Sequence, residues 1–305
     1  MATVKVAFLY SEVAGYFLAC AAELSKKADV LIFRWPVNQE APFDLSQYDN
    51  LTILDRSEFS QAQLEQQLKA FDPNILVCSG WLDKGYTITA KKMKKQIPVV
   101  LTLDNHWTGS LKQHLAAITS SFHLRRTFTH AWVPGAPQAI FAKKLGFKGQ
   151  FLIENFYCAN TPLFDTQYHA TFQSKKSDFP KRFLYVARYV AHKGIFELWN
   201  AFIELQKENP SDWELWCLGT GEEWENRVEH EKIKHIGFVQ PKDLEQYVAQ
   251  TGVYILPSKF EPWGVSVQEF AICGFPLLIS SAVGAKWGYL EEGKNGFEFA
   301  EGSKD

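Results

Sequence analysis

The sequence predicts an α/β chain of two successive domains, each built on a parallel sheet. Three observations carry that reading. Apolar runs of strand length alternate with helical patterns from the first residues onward, the order found in parallel-sheet folds. The 305 residues exceed what a single core usually organises. A second strand–helix series also begins after a polar stretch, Asp165 to Lys181, rich in Gln, Ser and Lys. The expected division is residues 1–165 for the first domain, 166–181 for a linker and 182–305 for the second.

In the first domain Val4–Tyr10 reads as a strand, Ser11–Gly15 as a turn, and Tyr16–Lys27 as a helix with Phe17, Cys20, Ala21 and Leu24 on one face. Asp29–Phe33 is the next strand. Gly15 stands alone where a dinucleotide fingerprint needs three glycines, which argues against a nicotinamide enzyme. It is either a plain turn residue or the point where the loop backbone approaches a ligand. Gln61–Phe71 is helical, Asn74–Cys78 a strand, Thr87–Gln96 helical and Pro98–Leu103 a strand. Asp104-Asn-His106-Trp107 follows at that strand's carboxyl end, where open α/β sheets bind ligands. A lone histidine is usually structural; this position makes His106 a candidate. Leu111–Arg126 reads as one helix, Thr129–Val133 as a strand and Gly149–Ile153 as the last strand of the domain.

Composition narrows the partners. With 46% hydrophobic and 22% charged residues and a formal charge of −2, nothing drives the chain toward nucleic acid. No apolar run reaches the ~18 residues of a membrane span, and the N-terminus does not read as a signal peptide. The five cysteines are odd in number, far apart and without metal-ligand spacing, which places the chain in the cytoplasm with reduced thiols. Two basic clusters, Lys91, Lys92, Lys94, Lys95 and Arg125, Arg126, are ordinarily solvated faces. The first lies on a helix that also carries Ile88 and Met93, so the alternative is peripheral contact with an anionic membrane, at its inner face.

In the second domain Arg182–Ala187 is a strand, Arg188 to Gly194 a loop and Ile195–Glu208 a helix. Arg188 and Lys193 offer a forked and a point cation at a strand's carboxyl end, suited to a pyrophosphate; ordinary surface cations are the other reading. Trp213–Leu218 and Lys234–Val239 are strands, the first followed by Gly219-Thr-Gly221, the second by a helix over Asp243–Ala249. Val253–Leu256 suits a buried strand, stopped by Pro257 and Ser258, and the loop through Pro262 carries Glu261. Gly264 then opens a helix with Glu269 in its second turn. The first N–H groups of that helix, on Gly264, Val265 and Ser266, lack intrahelical partners and sit at the positive end of its dipole. Two carboxylates beside an anion site suit a diphosphate ligand with many hydroxyls, such as a nucleotide sugar, although a random glutamate pair is usually just solvated.

The run Val186-Ala-Arg188…Lys193-Gly194, Gly219-Thr-Gly221, Gly237-Phe238-Val239, Pro257-Ser258, Glu261-Pro-Trp-Gly264, Glu269 and Gly274-Phe-Pro276 resembles the retaining GT-B glycosyltransferases of family four, the group 1 transferases. The likeness is specific over residues 182–300 and weaker over 1–165, where it rests on the strand–helix order, His106 and Trp132-Val-Pro134. It implies two Rossmann-like domains with parallel sheets facing across a cleft. It further implies that Arg188, Lys193 and the amides of Gly264, Val265 and Ser266, with Gly15, bind the donor diphosphate. Glu269 would bind ribose, and Gly237, Phe238 and Val239 would border the base. Glu261 would face the transferred sugar and His106 the acceptor side, as the catalytic candidates.

The implied enzyme moves a sugar from a UDP- or GDP-linked donor to a hydroxyl of a glycan or lipid-linked acceptor, without metal or cofactor. The chain contains no Asp-x-Asp. It departs from the family at Val283-Gly-Ala-Lys286, which lacks a second glycine, and it stops where the family continues into final helices. Two alternatives remain at this stage: an inactive GT-B-like nucleotide-sugar-binding domain, and a glycoside hydrolase using Glu261 and Glu269 as its pair.

Overall fold

The computed structural model describes residues 3–303. Its contacts divide the chain into two compact units. The first holds the residues up to Val37 and Asp44–Cys158; the second holds Asn38–Phe43 and the chain from Ala159 onward.

Seven strands build the first unit: β1 (Val4–Tyr10), β2 (Ala28–Arg34), β3 (Thr52–Asp55), β4 (Ile75–Ser79), β5 (Val99–Thr102), β6 (His130–Trp132) and β7 (Leu152–Ile153). All pair in parallel, in the order β3-β2-β1-β4-β5-β6-β7. The strands are apolar nearly throughout because both faces are covered. Along β1, Ala7 and Leu9 enter one core with Leu31, Phe33 and Leu76. Val6 and Phe8 enter the opposite core with Phe17, Val30 and Ile32. The helices are α1 (Gly15–Ser25), α2 (Gln61–Phe71), α3 (Lys84–Met93), α4 (Leu111–Thr119), α5 (Leu124–Thr127) and α6 (Ala136–Lys144).

The second unit repeats the plan with β8 (Arg182–Val186), β9 (Glu214–Leu218), β10 (Ile233–Gly237), β11 (Val253–Leu256), β12 (Leu277–Ser280) and β13 (Gly296–Phe299), parallel in the order β10-β9-β8-β11-β12-β13. Its helices are α7 (Thr161–Ser177), α8 (Ile195–Glu208), α9 (Glu245–Gln250), α10 (Val265–Ile272) and α11 (Lys286–Tyr289). Trp199 and Phe202 of α8 pack on Tyr185, Leu215 and Cys217 of the sheet.

Several local expectations change. The polar stretch read as an irregular linker is mostly α7, entered through Pro162 and capped by the Asn160 side chain, which accepts from the Leu163 amide at 3.4 Å. This helix buries polar residues on its inner face, which hides its period from an apolar count. Gln167 donates to Pro241 O at 3.0 Å, Thr171 bonds back to Gln167 O, and the Lys175 ammonium lies 3.4 Å from the centre of the Phe275 ring. The single helix expected over Leu111–Arg126 is two, broken by a 3-10 turn at Ser120–Phe122. Strands β3 and β13 were not anticipated, and β7 keeps only two of the five residues expected of it.

Candidate functional site

In each sheet the strand order reverses once, between β1 and β4 and between β8 and β11. Open parallel sheets bind ligands at the carboxyl ends of strands flanking that reversal. In the second unit β8 runs into the loop carrying Arg188 and Lys193, and its neighbour β11 runs into the loop carrying Glu261. The residues singled out from sequence thus meet at the reversal point.

Gly194 is what lets the two loops touch. Its φ is +71°, and a Cβ there would stand 2.0 Å from the carbonyl oxygen of Pro257. The amides of Lys259 and Phe260 also donate to His192 O, at 2.8 and 3.3 Å. Across this junction the Lys193 ammonium pairs with the Glu261 carboxylate, both side chains being largely enclosed at 16% and 10% exposure. Ser258 Oγ reaches the same Glu261 oxygen at 3.5 Å, and Gly284 N donates to Glu261 O at 3.0 Å. These contacts fix the position of the Glu261 carboxylate at the junction of the two loops.

The helix after this loop begins in the manner expected, with one refinement. Gly264 is the N-cap, at φ +93° with no side chain capping the helix, and the helix proper starts at Val265. A Cβ at Gly264 would approach Glu261 Cγ to 3.1 Å, so the left-handed turn and the glutamate's position are linked. Val267 N already donates to Gly264 O at 3.1 Å, so the donors left for an anion are chiefly those of Val265 and Ser266. Tyr254 of β11 fixes this first turn: its hydroxyl donates to Ser266 Oγ at 2.7 Å and its ring stacks on Phe270 at 4.5 Å.

Glu269, one turn further, is half-buried, and no side-chain hydrogen bond to its carboxylate is found among the described residues. Desolvation by burial pushes its pKa up to about 7. A carboxylate partly withdrawn from water and without a protein donor is ready to accept from ligand hydroxyls.

Gly237, Phe238 and Val239 lie at the carboxyl end of β10, two strands from β8, about 10 Å along the sheet at the usual strand spacing. Gly219 N donates to Gly237 O at 2.7 Å and Tyr189 N to Thr220 O at 2.9 Å, so the three strand ends form one continuous rim. His106 and Gly15 belong to the first unit. His106 follows β5, where its carbonyl accepts from Gln113 Nε2 at 2.7 Å. Gly15 is the buried first residue of α1, and its carbonyl accepts from the Tyr48 hydroxyl at 3.3 Å. Among the described residues no group of three or more His, Cys, Asp or Glu could hold a metal ion.

One feature escaped the sequence reading. The segment Asn38–Phe43, between β2 and β3, packs with the second unit. Glu40 pairs with Arg188 at 3.3 Å, Thr220 Oγ1 donates to Glu40 O at 2.8 Å, Gln240 Nε2 donates to Pro42 O at 2.8 Å, and Phe43 meets Phe238 edge-on at 5.4 Å. No periodicity or motif marks these residues, so only the three-dimensional contacts identify them.

Residues 169–305 match the family model Glycosyl transferases group 1. No curated protein matches the chain. Among solved structures, Anabaena HepE in complex with UDP and glucose superposes with a TM-score of 0.72 at 15% identity, over 99% of this chain and 87% of that one. The lipopolysaccharide outer core galactosyltransferase WaaB gives a TM-score of 0.64 at 16% identity, with the same coverages of 99% and 87%. Sucrose-phosphate synthase from Thermosynechococcus elongatus gives 0.69 at 16%, again over 99% and 87%. The two parallel-sheet units are therefore those of the GT-B glycosyltransferase fold.

Proposed function

We propose that this chain, whose residues 169–305 match the group 1 glycosyltransferase model, transfers a sugar from a nucleoside-diphosphate donor to a hydroxyl acceptor with retention of anomeric configuration. The carrying observation is that the loops bearing Arg188, Lys193 and the start of α10 follow β8 and β11, the two neighbouring strands at the sheet's reversal point. Cleavage of the donor leaves negative charge on the departing diphosphate. Two cations and a helix N-terminus aimed at it lower that barrier, so this role needs no metal. Glu269 accepts from the ribose hydroxyls, Gly237 to Val239 border the base, and Glu261 orients the transferred sugar once Lys193 turns from it to the phosphate. His106 and Gly15 are assigned to the acceptor side and to the diphosphate by family likeness. UDP is the first donor base to test, since HepE holds UDP; GDP is the second.

The cation loop carrying Arg188 and Lys193 and the helix start at Gly264, both suited to a phosphate, count against the hydrolase alternative, which needs only a carboxyl pair. The test is calorimetric titration of UDP, GDP and ADP into the protein. One of them should bind, and Lys193→Ala should weaken it by about tenfold or more. Failure of all three to bind ends the proposal. Binding without transfer or donor hydrolysis would favour the inactive-domain alternative.

A lipid-linked acceptor is favoured by one surface. Along α4 and the turn after it, Leu111, Leu115, Ile118 and Phe122 are 88%, 63%, 73% and 69% exposed and share one face by their spacing. Arg126 lies 6.0 Å from the centre of the Phe122 ring. Between Lys84 and Ile153 the single carboxylate is Asp104, among eleven lysines and arginines. Apolar side chains set in such a cationic region suit an anionic bilayer surface, and the assignment carries a cytoplasmic, peripheral location with it. Among the described residues no helix is long and apolar enough to cross a membrane. The contact moves from the lysines of α3 to α4, because Met93 of α3 packs against the core. Leu115→Glu combined with Ile118→Glu should abolish co-sedimentation with phosphatidylglycerol vesicles; unchanged binding would refute the surface.

A further inference from the structure

Every cation proposed for the diphosphate is already matched by a carboxylate, and one of these comes from the segment Asn38–Phe43. That segment is held at three successive strand ends of the second unit: Glu40 at the loop after β8, the Glu40 carbonyl on Thr220 after β9, and Pro42 and Phe43 on Gln240 and Phe238 after β10. These are the ends to which the donor's diphosphate and base are assigned. We infer that Asn38–Phe43 is a built-in competitor of the donor. Glu40 is the anion that the diphosphate displaces from Arg188, and Phe43 shields the apolar face of Phe238 until a base takes its place. The inference rests on the donor-site reading above and adds a regulatory element to it.

The contacts are of a kind a ligand can displace. The Glu40–Arg188 pair is partly exposed on both sides, 39% for Arg188 and 32% for Glu40, and such pairs are weak and salt-sensitive. Two further bonds join the segment to Thr220 and Gln240 through its own carbonyls, so the backbone can stay docked while the carboxylate swings away. A strap that neutralises Arg188 keeps that cation paired until a diphosphate arrives. It also sets the diphosphate's net gain below that of a free guanidinium.

UDP is titrated calorimetrically at low salt into the wild type, Glu40→Gln, Arg188→Ala and the double variant Glu40→Gln/Arg188→Ala. Glu40→Gln, which keeps the side chain's shape, should bind UDP about two- to fivefold more tightly than the wild type, the range of an exposed ion pair. The gain should vanish in the Arg188→Ala background, because the competition is for that guanidinium. UDP binding that is unchanged or weakened by Glu40→Gln overturns the inference and leaves the donor-site reading standing. So does a gain that persists without Arg188. No UDP, GDP or ADP binding by either the wild type or Glu40→Gln overturns both.

Discussion

Substituting Glu269 by glutamine should make the protein more stable and less able to bind its donor, and the structure sets the size and pH range of the effect. Burial raises the carboxyl pKa from 4.5 to about 7, a difference worth about 3 kcal/mol at full ionisation. The sign follows from proton counting. Between pH 4.5 and 7 the folded state holds the proton that the unfolded chain has released, so stability falls as pH rises through that window and is level above it. Below pH 4.5 Glu269 is neutral in both states and costs nothing. Glutamine cannot ionise, so Glu269→Gln escapes the loss. Relative to the wild type it should gain about 2–3 kcal/mol on going from pH 5 to pH 8. The pH-dependent difference is the useful quantity, since any packing cost of the amide is the same at both values. Urea denaturation of both proteins at pH 5 and pH 8, followed by tryptophan fluorescence, measures it. A Glu269→Gln protein with no added advantage at pH 8 would refute the account of this carboxyl as desolvated and unpartnered.

The same substitution should weaken UDP binding. Ribose hydroxyls bond more strongly to a carboxylate than to an amide oxygen, and charge-assisted bonds of this kind contribute about 1.5–3 kcal/mol. Binding to the wild type near pH 7 should also release protons from Glu269, visible as buffer-dependent heats that Glu269→Gln diminishes. A variant that is stabilised at pH 8 and binds UDP normally would leave the burial argument intact and remove Glu269 from the donor site.

Three further outcomes follow from particular contacts. Lys193→Ala leaves Glu261 enclosed without its cation and should destabilise the second unit by roughly 3 kcal/mol, seen as a lower urea midpoint. Gly194→Ala should cost about 1–2 kcal/mol for its left-handed backbone alone. Because its Cβ would collide with Pro257 O, it should also cut UDP affinity to near the Lys193→Ala level while circular dichroism is preserved. Lys175 is buried over the Phe275 ring, and burial lowers its pKa to about 8. The folded state therefore lacks the proton that the unfolded chain holds between pH 8 and 10.5, so wild-type stability rises across that range. Lys175→Met should stabilise by about 2 kcal/mol at pH 7, with the gain fading toward pH 10.5; a gain constant with pH would refute it.

Much of the second unit was legible because its signals are local. Strand β8, the cations after it, the Pro257–Ser258 stop and the glycine-started helix are each written within a few residues. Parallel pairing of β8 with β11 brings them together by a general rule of open sheets. What was not legible depended on side chains behaving against type. Helix α7 escaped notice because Gln167, Thr171 and Lys175 face inward, satisfied by a carbonyl, a helix bond and an aromatic ring. The exposed apolar stripe of α4 lies in a stretch that reads only as helix, since a period of 3.6 reports a face without saying whether it meets protein or water. The docking of Asn38–Phe43 on the second unit lies beyond any local pattern, because the contacts span 148 to 198 residues of chain.

The ion pairs change how the site's charges should be weighed. From sequence, Arg188, Lys193 and Glu261 read as three groups waiting for three parts of a donor. In the folded chain Lys193 is held by Glu261 and Arg188 by Glu40, so on the proposed assignment an arriving diphosphate would exchange partners rather than meet free cations. Its affinity would then be a difference between two sets of charge pairs, smaller than either. The exchange would also free the two carboxylates as the diphosphate took the two cations. Under that proposal Glu261 would become available to sugar hydroxyls only when Lys193 had turned to phosphate. A sugar lacking the diphosphate meets a glutamate still engaged with its lysine. The site would therefore discriminate against free sugars by ordering its own contacts, and free glucose should bind far more weakly in the absence of UDP than in its presence. Equal glucose affinity with and without UDP would show that Glu261 is not released in this way.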